Sequence, residues 1–204
     1  MNAWCLMLIE KIMLSKFNGA ICENLFGDLS YITEEKFHDI MELFERVNRS
    51  MDNKNWLKFR DLSYLKDVLD KGGFIIGCYV DNILIASALC EAPNGDYKDI
   101  LIEMGMSSDE INSTYISGYV MVDPVYRGNS LHRILMEARI KASIIREKKH
   151  IVTAIATENV FSLKTILALG FEVRMQKENE YNIVRNILVK NLNPSSSQYV
   201  EFSA

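Results

Sequence analysis

Several things are scarce in these 204 residues, and each scarcity removes a class of protein. Basic side chains are outnumbered, 23 Lys and Arg against 27 Asp and Glu, for a net charge of −4. A protein that grips a nucleic-acid backbone needs clustered excess cation, so no nucleic-acid partner is expected. Four cysteines (Cys5, Cys22, Cys78 and Cys90) stand far apart without a Cys-x-x-Cys pair, and His38, His132 and His150 are equally scattered. That spacing offers no metal site. Free thiols in a chain of this size suit a reducing compartment, which makes the cytoplasm the expected location. Long apolar runs are missing too. Glu10 and Lys11 interrupt the apolar start from Met1 to Met13, well short of the ~20 residues that span a bilayer. The leading positive charge and small-residue cleavage site of a secretory signal are also lacking. No membrane partner is expected, and this start reads as an unpacked extension or a docked helix.

What is present is the balance of an ordinary globular protein, 49% hydrophobic and 25% charged. A chain of this length closes one sizeable core, whereas two domains would each be small for their surface. Residues 1–30 are expected as an N-terminal extension and first strand region, 31–192 as a single domain, and 193–204, with Pro194-Ser195-Ser196-Ser197, as a loose tail. Charge is unevenly spread. Residues 1–114 carry 11 basic and 19 acidic side chains, while residues 115–192 carry 12 basic and 7 acidic. An anionic ligand is favoured by the second part.

Periodicity places the elements. Phe37, Ile40, Met41, Phe44 and Val47 recur at helical steps within 34–51 behind Thr33, and Leu62, Leu65, Val68 and Leu69 do so within 61–70 before Gly72-Gly73. Two β-rich runs, 74–80 and 83–90, flank Asp81-Asn82, a hairpin turn by composition. Residues 91–114 read as an elaborated loop with a Pro-Asn-Gly-Asp turn and a cap at Ser107. Then follow a strand at 115–122, a helix at about 130–149, a strand at 150–155, a helix at 159–169 stopped by Gly170, and strands at 171–177 and 182–190. Leu131, Ile134, Leu135, Ala138, Ala142 and Ile145 stripe the long helix for packing on a sheet. Strand, helix, strand implies a parallel pair joined by a crossover.

The informative stretch is Val120-Met121-Val122-Asp123-Pro124-Val125-Tyr126-Arg127-Gly128-Asn129-Ser130-Leu131-His132, because it joins a strand to the long helix through a turn of small residues. Free N–H groups at a helix start, with the positive end of the dipole, suit a diphosphate. Gly128 lets the backbone approach, and Arg127 adds charge.

Here the chain resembles the GNAT superfamily of N-acetyltransferases, whose acetyl-CoA signature is Arg or Gln, two residues, Gly, one residue, then Gly or Ala. Arg127 takes the first position, Gly128 and Asn129 the next two, Ser130 the first Gly, Leu131 the intervening site and His132 the final small residue. Two signature positions therefore depart, Ser130 and the bulky His132. The context adds to the likeness: after the motif come a strand, then Ala156-Thr157-Glu158-Asn159-Val160-Phe161-Ser162, then Gly170-Phe171, in the family's order. Asn159 and Ser162 match positions that open a helix beside the pantetheine arm. They equally suit an N-cap and a first-turn residue.

The resemblance implies a mixed α/β (α+β) fold: a mostly antiparallel sheet of about six to seven strands with a splayed parallel pair, flanked by helices. It implies acetyl-CoA as cosubstrate, no metal, and transfer of the acetyl group to an amine by direct attack, and a homodimer is compatible with it. The cofactor would lie on Val120, Met121, Val122, Arg127, Gly128, Asn129, Ser130, Leu131, His132, Asn159 and Ser162, with the Val122 backbone amide as oxyanion donor. Where many relatives carry a glutamate base, this chain has Ser117-Gly118-Tyr119, so Glu91 and Tyr119 are the candidates for that role. Where they carry a tyrosine acid, it has Ile166. A non-catalytic GNAT-shaped module that binds acetyl-CoA or a protein is the alternative. The acceptor, whether polyamine, amino acid, antibiotic or protein terminus, is not written in the residues.

Overall fold

In the computed structural model, which describes residues 8–51, 53, 54, 57 and 61–192, the chain opens on strands. Leu8–Phe17 (β1) and Ala20–Tyr31 (β2) pair antiparallel around Asn18 and Gly19, whose φ values are +48° and +79°. This corrects the reading of residues 8–13 as a docked helix or loose extension. Ile12 and Leu14 are buried and Met13 between them is 73% exposed, a period of two and hence a strand. Residues 1–7 and the expected tail, 193–204, lie outside the described residues.

Helix α1 (Phe37–Arg49) follows a short 3₁₀ turn at Glu34–Lys36. Thr33 precedes that turn but makes no side-chain cap bond. Helix α2 (Leu62–Asp70) starts at Asp61, whose carboxylate accepts from the Tyr64 N–H. Strands β3 (Phe74–Val80) and β4 (Ile83–Glu91) form the expected hairpin, with Asp81 and Asn82 both at positive φ. Residues 91–114 are more ordered than a loop. They hold α3 (Gly95–Glu103) and α4 (Ser108–Asn112), the latter opened by a reciprocal Ser107–Glu110 capping box. Ile100, Leu101 and Ile111 bury against Ile116, Val152 and Ile187, and that packing stabilises helices whose sequence alone is weakly patterned.

Next come β5 (Thr114–Val122), α5 (Leu131–Ile145), β6 (His150–Ala156), α6 (Val160–Ala168), β7 (Glu172–Glu178) and β8 (Val184–Asn191). Helix α5 stops short of the expected residue 149, since Glu147 turns left-handed at φ +56°. Ile145, read as part of its packed stripe, is 67% exposed. The sheet has eight strands in the order β1-β2-β3-β4-β5-β6-β8-β7, antiparallel throughout except for β5 and β6. The N-terminal hairpin accounts for the excess over six to seven. Among the described residues no helix is long and apolar enough to cross a membrane.

Helices cover both faces of the sheet. On one, Leu131, Leu135, Ala138 and Ala142 of α5 pack on Cys78, Ala86, Ala88 and Tyr115. On the other, Ile40, Leu43 and Val47 of α1 and Leu65 and Val68 of α2 pack on Ile75, Leu84, Leu89 and Met121. Burying each such side chain contributes about 1.5 to 3 kcal/mol.

Asn129 clasps the first strand to the turn before α5. Its Oδ1 accepts from the N–H groups of Ser15 (2.8 Å) and Lys16 (3.0 Å), and its Nδ2 donates to the carbonyls of Lys16 (2.7 Å) and Tyr126 (2.9 Å). Asn129→Ala strands these main-chain groups. Denaturant unfolding is expected to show a loss of about 2 to 3 kcal/mol; a loss below about 0.5 kcal/mol would show that the clasp is replaced by other partners.

Candidate functional site

The parallel pair is joined only at its base. Thr114 to Ser117 of β5 register with His150 to Thr153 of β6, and the Thr153 hydroxyl donates to the Ser117 carbonyl at 3.3 Å. Beyond that point β6 continues against β8 as far as Ala156, while β5 follows β4 as far as Val122. A bulge drives them apart. Cys90 faces Ser117 and Ala88 faces Val120, so Gly118 and Tyr119 together oppose Leu89. A side chain at Gly118 would meet Leu89 Cδ2 at 2.8 Å, which makes glycine the residue that admits this bulge.

Past the bulge the ladder alternates. The Asp123 N–H donates to the Ile85 carbonyl at 2.8 Å, and Val122, Met121 and Val120 then pair in turn with Ala86, Ser87 and Ala88. In an antiparallel ladder every second residue turns its main-chain groups away from the partner strand. Those residues are Val120 and Val122, and their amides face the gap left by β6.

The turn at the mouth of the gap is held from both sides. Asp123 Oδ2 accepts from Arg46 Nε of α1 at 2.6 Å, and its Oδ1 accepts from the Val125 N–H, while Arg46 Nη2 donates to the Leu84 carbonyl. Arg127 is exposed and donates to Ser50 Oγ at 3.0 Å. Gly128 has φ +87°, and a Cβ there would stand 3.0 Å from Lys16 Cδ, so the lysine of β1 crosses over this glycine. Ser130 is left-handed at φ +57° and makes no side-chain cap bond, leaving the first amides of α5 uncapped by it. Asn159 caps α6 through the Ser162 N–H at 3.2 Å.

Between the parted strands lies a cavity of about 730 Å³. Of the residues singled out in the sequence, Tyr119, Val120, Val122, Arg127, Gly128, Ser130, Leu131, His132, Asn159 and Ser162 line it. Three do not. Met121 is buried on the α1 face. Asn129 is turned to β1, and Glu91 is buried and accepts from the Tyr64 hydroxyl (2.8 Å) and Asn94 Nδ2 (3.0 Å). The lining also includes residues that periodicity did not mark, among them Ser117, Thr153, Arg139 and Arg185. Among the described residues no Asp or Glu lines it. Val47, Ser50, Met51 and Leu57 contribute from the α1 side and α5 and α6 from the other, so the cavity passes between the strands and reaches both faces. Among the described residues no group of three His, Cys, Asp or Glu stands together as a metal site.

Burial sets the protonation of this cleft. His132 is pulled down to about 4, chiefly by burial and then by the Arg139 charge, so it is neutral near pH 7. Burial pushes the Tyr119 phenol well above its ordinary value, outweighing its 3.3 Å contact with Ser87 Oγ and the Arg139 charge. Tyr119 is therefore a protonated hydrogen-bond donor rather than a base. Burial also raises the Cys78 and Cys90 thiols to about 12, which makes them inert.

This combination, a mixed sheet whose parallel pair parts above a glycine turn at a helix start, is the fold of the GNAT N-acetyltransferases. The chain is similar to an N-acetyltransferase from Staphylococcus aureus Mu50 at 13% identity, over 82% of this chain and 99% of that one, with a TM-score of 0.65. A putative acetyltransferase from Salmonella typhimurium, solved with its cofactor acetyl-CoA, aligns at 17% identity, 84% and 96% coverage and a TM-score of 0.61. A GNAT-family acetyltransferase from Streptococcus pneumoniae aligns at 10% identity, 82% and 99% coverage and a TM-score of 0.64. No known family profile matches the sequence, and no curated protein sequence does.

The depressed His132 has a consequence for acid stability. Below pH 6.5 an unfolded histidine takes up a proton that the folded one refuses until about pH 4, so stability falls as pH drops through that window. His132→Gln is expected to remove about 3 kcal/mol of this acid sensitivity, read as the difference in unfolding free energy between pH 7 and pH 4. A titration near 6.5 of the imidazole resonance that His132→Gln removes from the NMR spectrum would contradict the burial.

Proposed function

We propose that this protein is an acetyl-CoA-dependent N-acetyltransferase that passes the acetyl group to a primary amine by direct attack. One observation carries the reading: β5 and β6 part after Ser117 and Thr153, and the gap opens on a cavity floored by the unpaired amides of Val120 and Val122. The pantetheine arm is an extended chain of amides, and such a gap supplies it with the main-chain partners that a neighbouring strand would otherwise take. The similarity in fold to acetyltransferases, one of them solved with acetyl-CoA, supports the same reading.

In this arrangement the diphosphate lies on the N-terminal amides of α5 beside Arg127, Gly128, Ser130, Leu131 and His132, where the helix dipole and the arginine favour anions. Asn159 and Ser162 border the arm. The amine nitrogen attacks the thioester carbon, the C–N bond forms, and the carbonyl oxygen gains the charge that the Val122 N–H is placed to stabilise. Collapse breaks the C–S bond. The coenzyme leaves as thiolate and is protonated, and the amine gives up its proton. Tyr119 is a protonated phenol on the cavity wall, and burial makes it a weaker acid than the departing thiol, so it suits a hydrogen bond to the developing thiolate while solvent supplies the proton to sulfur and takes the one from nitrogen. Ile166 of α6 stands where the family's tyrosine acid would be, and Tyr119 of β5 would replace only its hydrogen bond. Holding the reactants in contact supplies the remainder, up to about 7 kcal/mol or more of the barrier in well-aligned cases.

A non-catalytic acyl-CoA-binding module is the second reading, favoured by the lack of any carboxylate among the cavity-lining residues. The two are separated by turnover. Saturating acetyl-CoA is expected to raise the melting midpoint by several degrees, and a panel of amines to give steady release of free thiol. Arg127→Ala should weaken acetyl-CoA binding by about tenfold through loss of a charged phosphate contact. Stabilisation without thiol release from any amine would leave the module; no stabilisation at all would remove both readings.

A further inference from the structure

Arg139 stands at an unusual place for a cation. It lies on the third turn of α5, on the face that also carries Leu131 and Leu135, and is fully buried at 0% exposure. It lines the cavity beside the bulge, with Ser117, Gly118, Tyr119 and Met136. Its Nη1 donates to the carbonyl of Leu89 at 3.3 Å, the residue that faces the bulge. Nε and Nη2 have no hydrogen-bond partner among the described residues. The neighbours do not neutralise it, since the Tyr119 phenol and the Cys90 thiol are both held protonated by burial. Arg139 keeps its own charge near pH 7, for burial lowers it only to about 10.

A buried, charged donor without a partner is costly, and the geometry of the vacant pair says what would satisfy it. The Nε–H and Nη2–H groups lie side by side in one plane, the fork that receives both oxygens of a carboxylate. The diphosphate proposed for the helix start cannot reach it. Arg139 is eight residues beyond Leu131, roughly 12 Å further along the helix axis. That distance puts it at the reacting end of the cleft, where the acyl group and the acceptor meet. Arg127, Arg139 and Arg185 line the cavity, and among the described residues no Asp or Glu does.

Resting on the acyltransferase reading above, we propose that the free edge of Arg139 binds a carboxylate on one of the reactants, either on the acyl group of the coenzyme A thioester or on the amine acceptor. A dicarboxylic monoacyl thioester would present it from the donor side, and an amino acid from the acceptor side. Enclosure keeps water from competing for the pair.

Two arms on the wild-type protein distinguish the sources. Calorimetry compares succinyl-CoA with acetyl-CoA, and thiol release from acetyl-CoA compares each common amino acid with its own amide. One arm is expected to favour the carboxylated member by at least about tenfold, the value of a charged bidentate contact. Arg139→Gln, which keeps amide donors but loses the charge and fork, is expected to bring that ratio to about one. Should Arg139→Gln not fold, the wild-type ratios decide alone. Acetyl-CoA binding and turnover with no preference in either arm overturns this proposal and leaves the acyltransferase reading intact. A ratio unchanged in Arg139→Gln does the same. If neither thioester binds, the acyltransferase reading falls, and this one with it.

Discussion

Everything in the cleft depends on one surplus residue. Because Gly118 and Tyr119 share the place opposite Leu89, β5 bends at that point and cannot stay level with β6. The consequences run in both directions. Toward the gap, Val120 and Val122 are left with amides facing open space; toward the core, the Leu89 carbonyl opposite the bulge accepts from Arg139 of α5. A Cβ at position 118 would stand 2.8 Å from Leu89 Cδ2, so any other residue there makes that side chain shift.

The bulge sets the gap, and the surrounding elements set its walls. Arg46 and Arg127 tie the strand-to-helix turn to α1 through Asp123 and Ser50, while Asn129 ties the same turn to β1. The turn is thus anchored to elements far apart in the chain, and its amides are positioned before any ligand arrives. Preorganised donors of this kind cost no rearrangement when charge develops against them. Lys16, brought over Gly128 by the N-terminal hairpin, adds a further cation beside the turn.

Much of this could be read from the residues, and the parts that could not share a cause. The strand, turn, helix and strand around Arg127 and Gly128 are local patterns, and they stand within a few residues of where periodicity puts them. The N-terminal hairpin escaped because glutamate and lysine in an apolar run argue against a span without arguing for a strand, and the alternation of Ile12, Met13 and Leu14 is short. Helix α3 escaped because its register is decided by packing on Ile116 and Val152, contacts remote in sequence. Among site residues, Asn129 fits the motif by position yet turns its side chain to β1, which only the hairpin explains. Arg139 was legible in principle. An arginine one turn beyond Leu135, in line with Leu131, breaks an otherwise apolar face, and a charge on a core stripe marks either a buried partner or a site.

The lack of a carboxylate in the lining bears on how an amine would be activated. An acetyltransferase needs its acceptor uncharged at the moment of attack, and a general base is one route to that state. A field of like charge is another. Arg139 is buried and pairs with no acid among the described residues, so an ammonium entering beside it is disfavoured relative to the free amine. His132 in the same cleft is lowered first by burial and then by the Arg139 charge. An acceptor that is a bare polycation would be repelled from such a cavity, whatever the acidic surplus elsewhere on the surface suggests. An acceptor bearing its own carboxylate would be drawn in, and the anion it brings would spend part of the arginine's charge. On the acyltransferase reading proposed above, the cationic wall would couple two properties that are usually separate, which substrate is admitted and how readily its nitrogen sheds a proton.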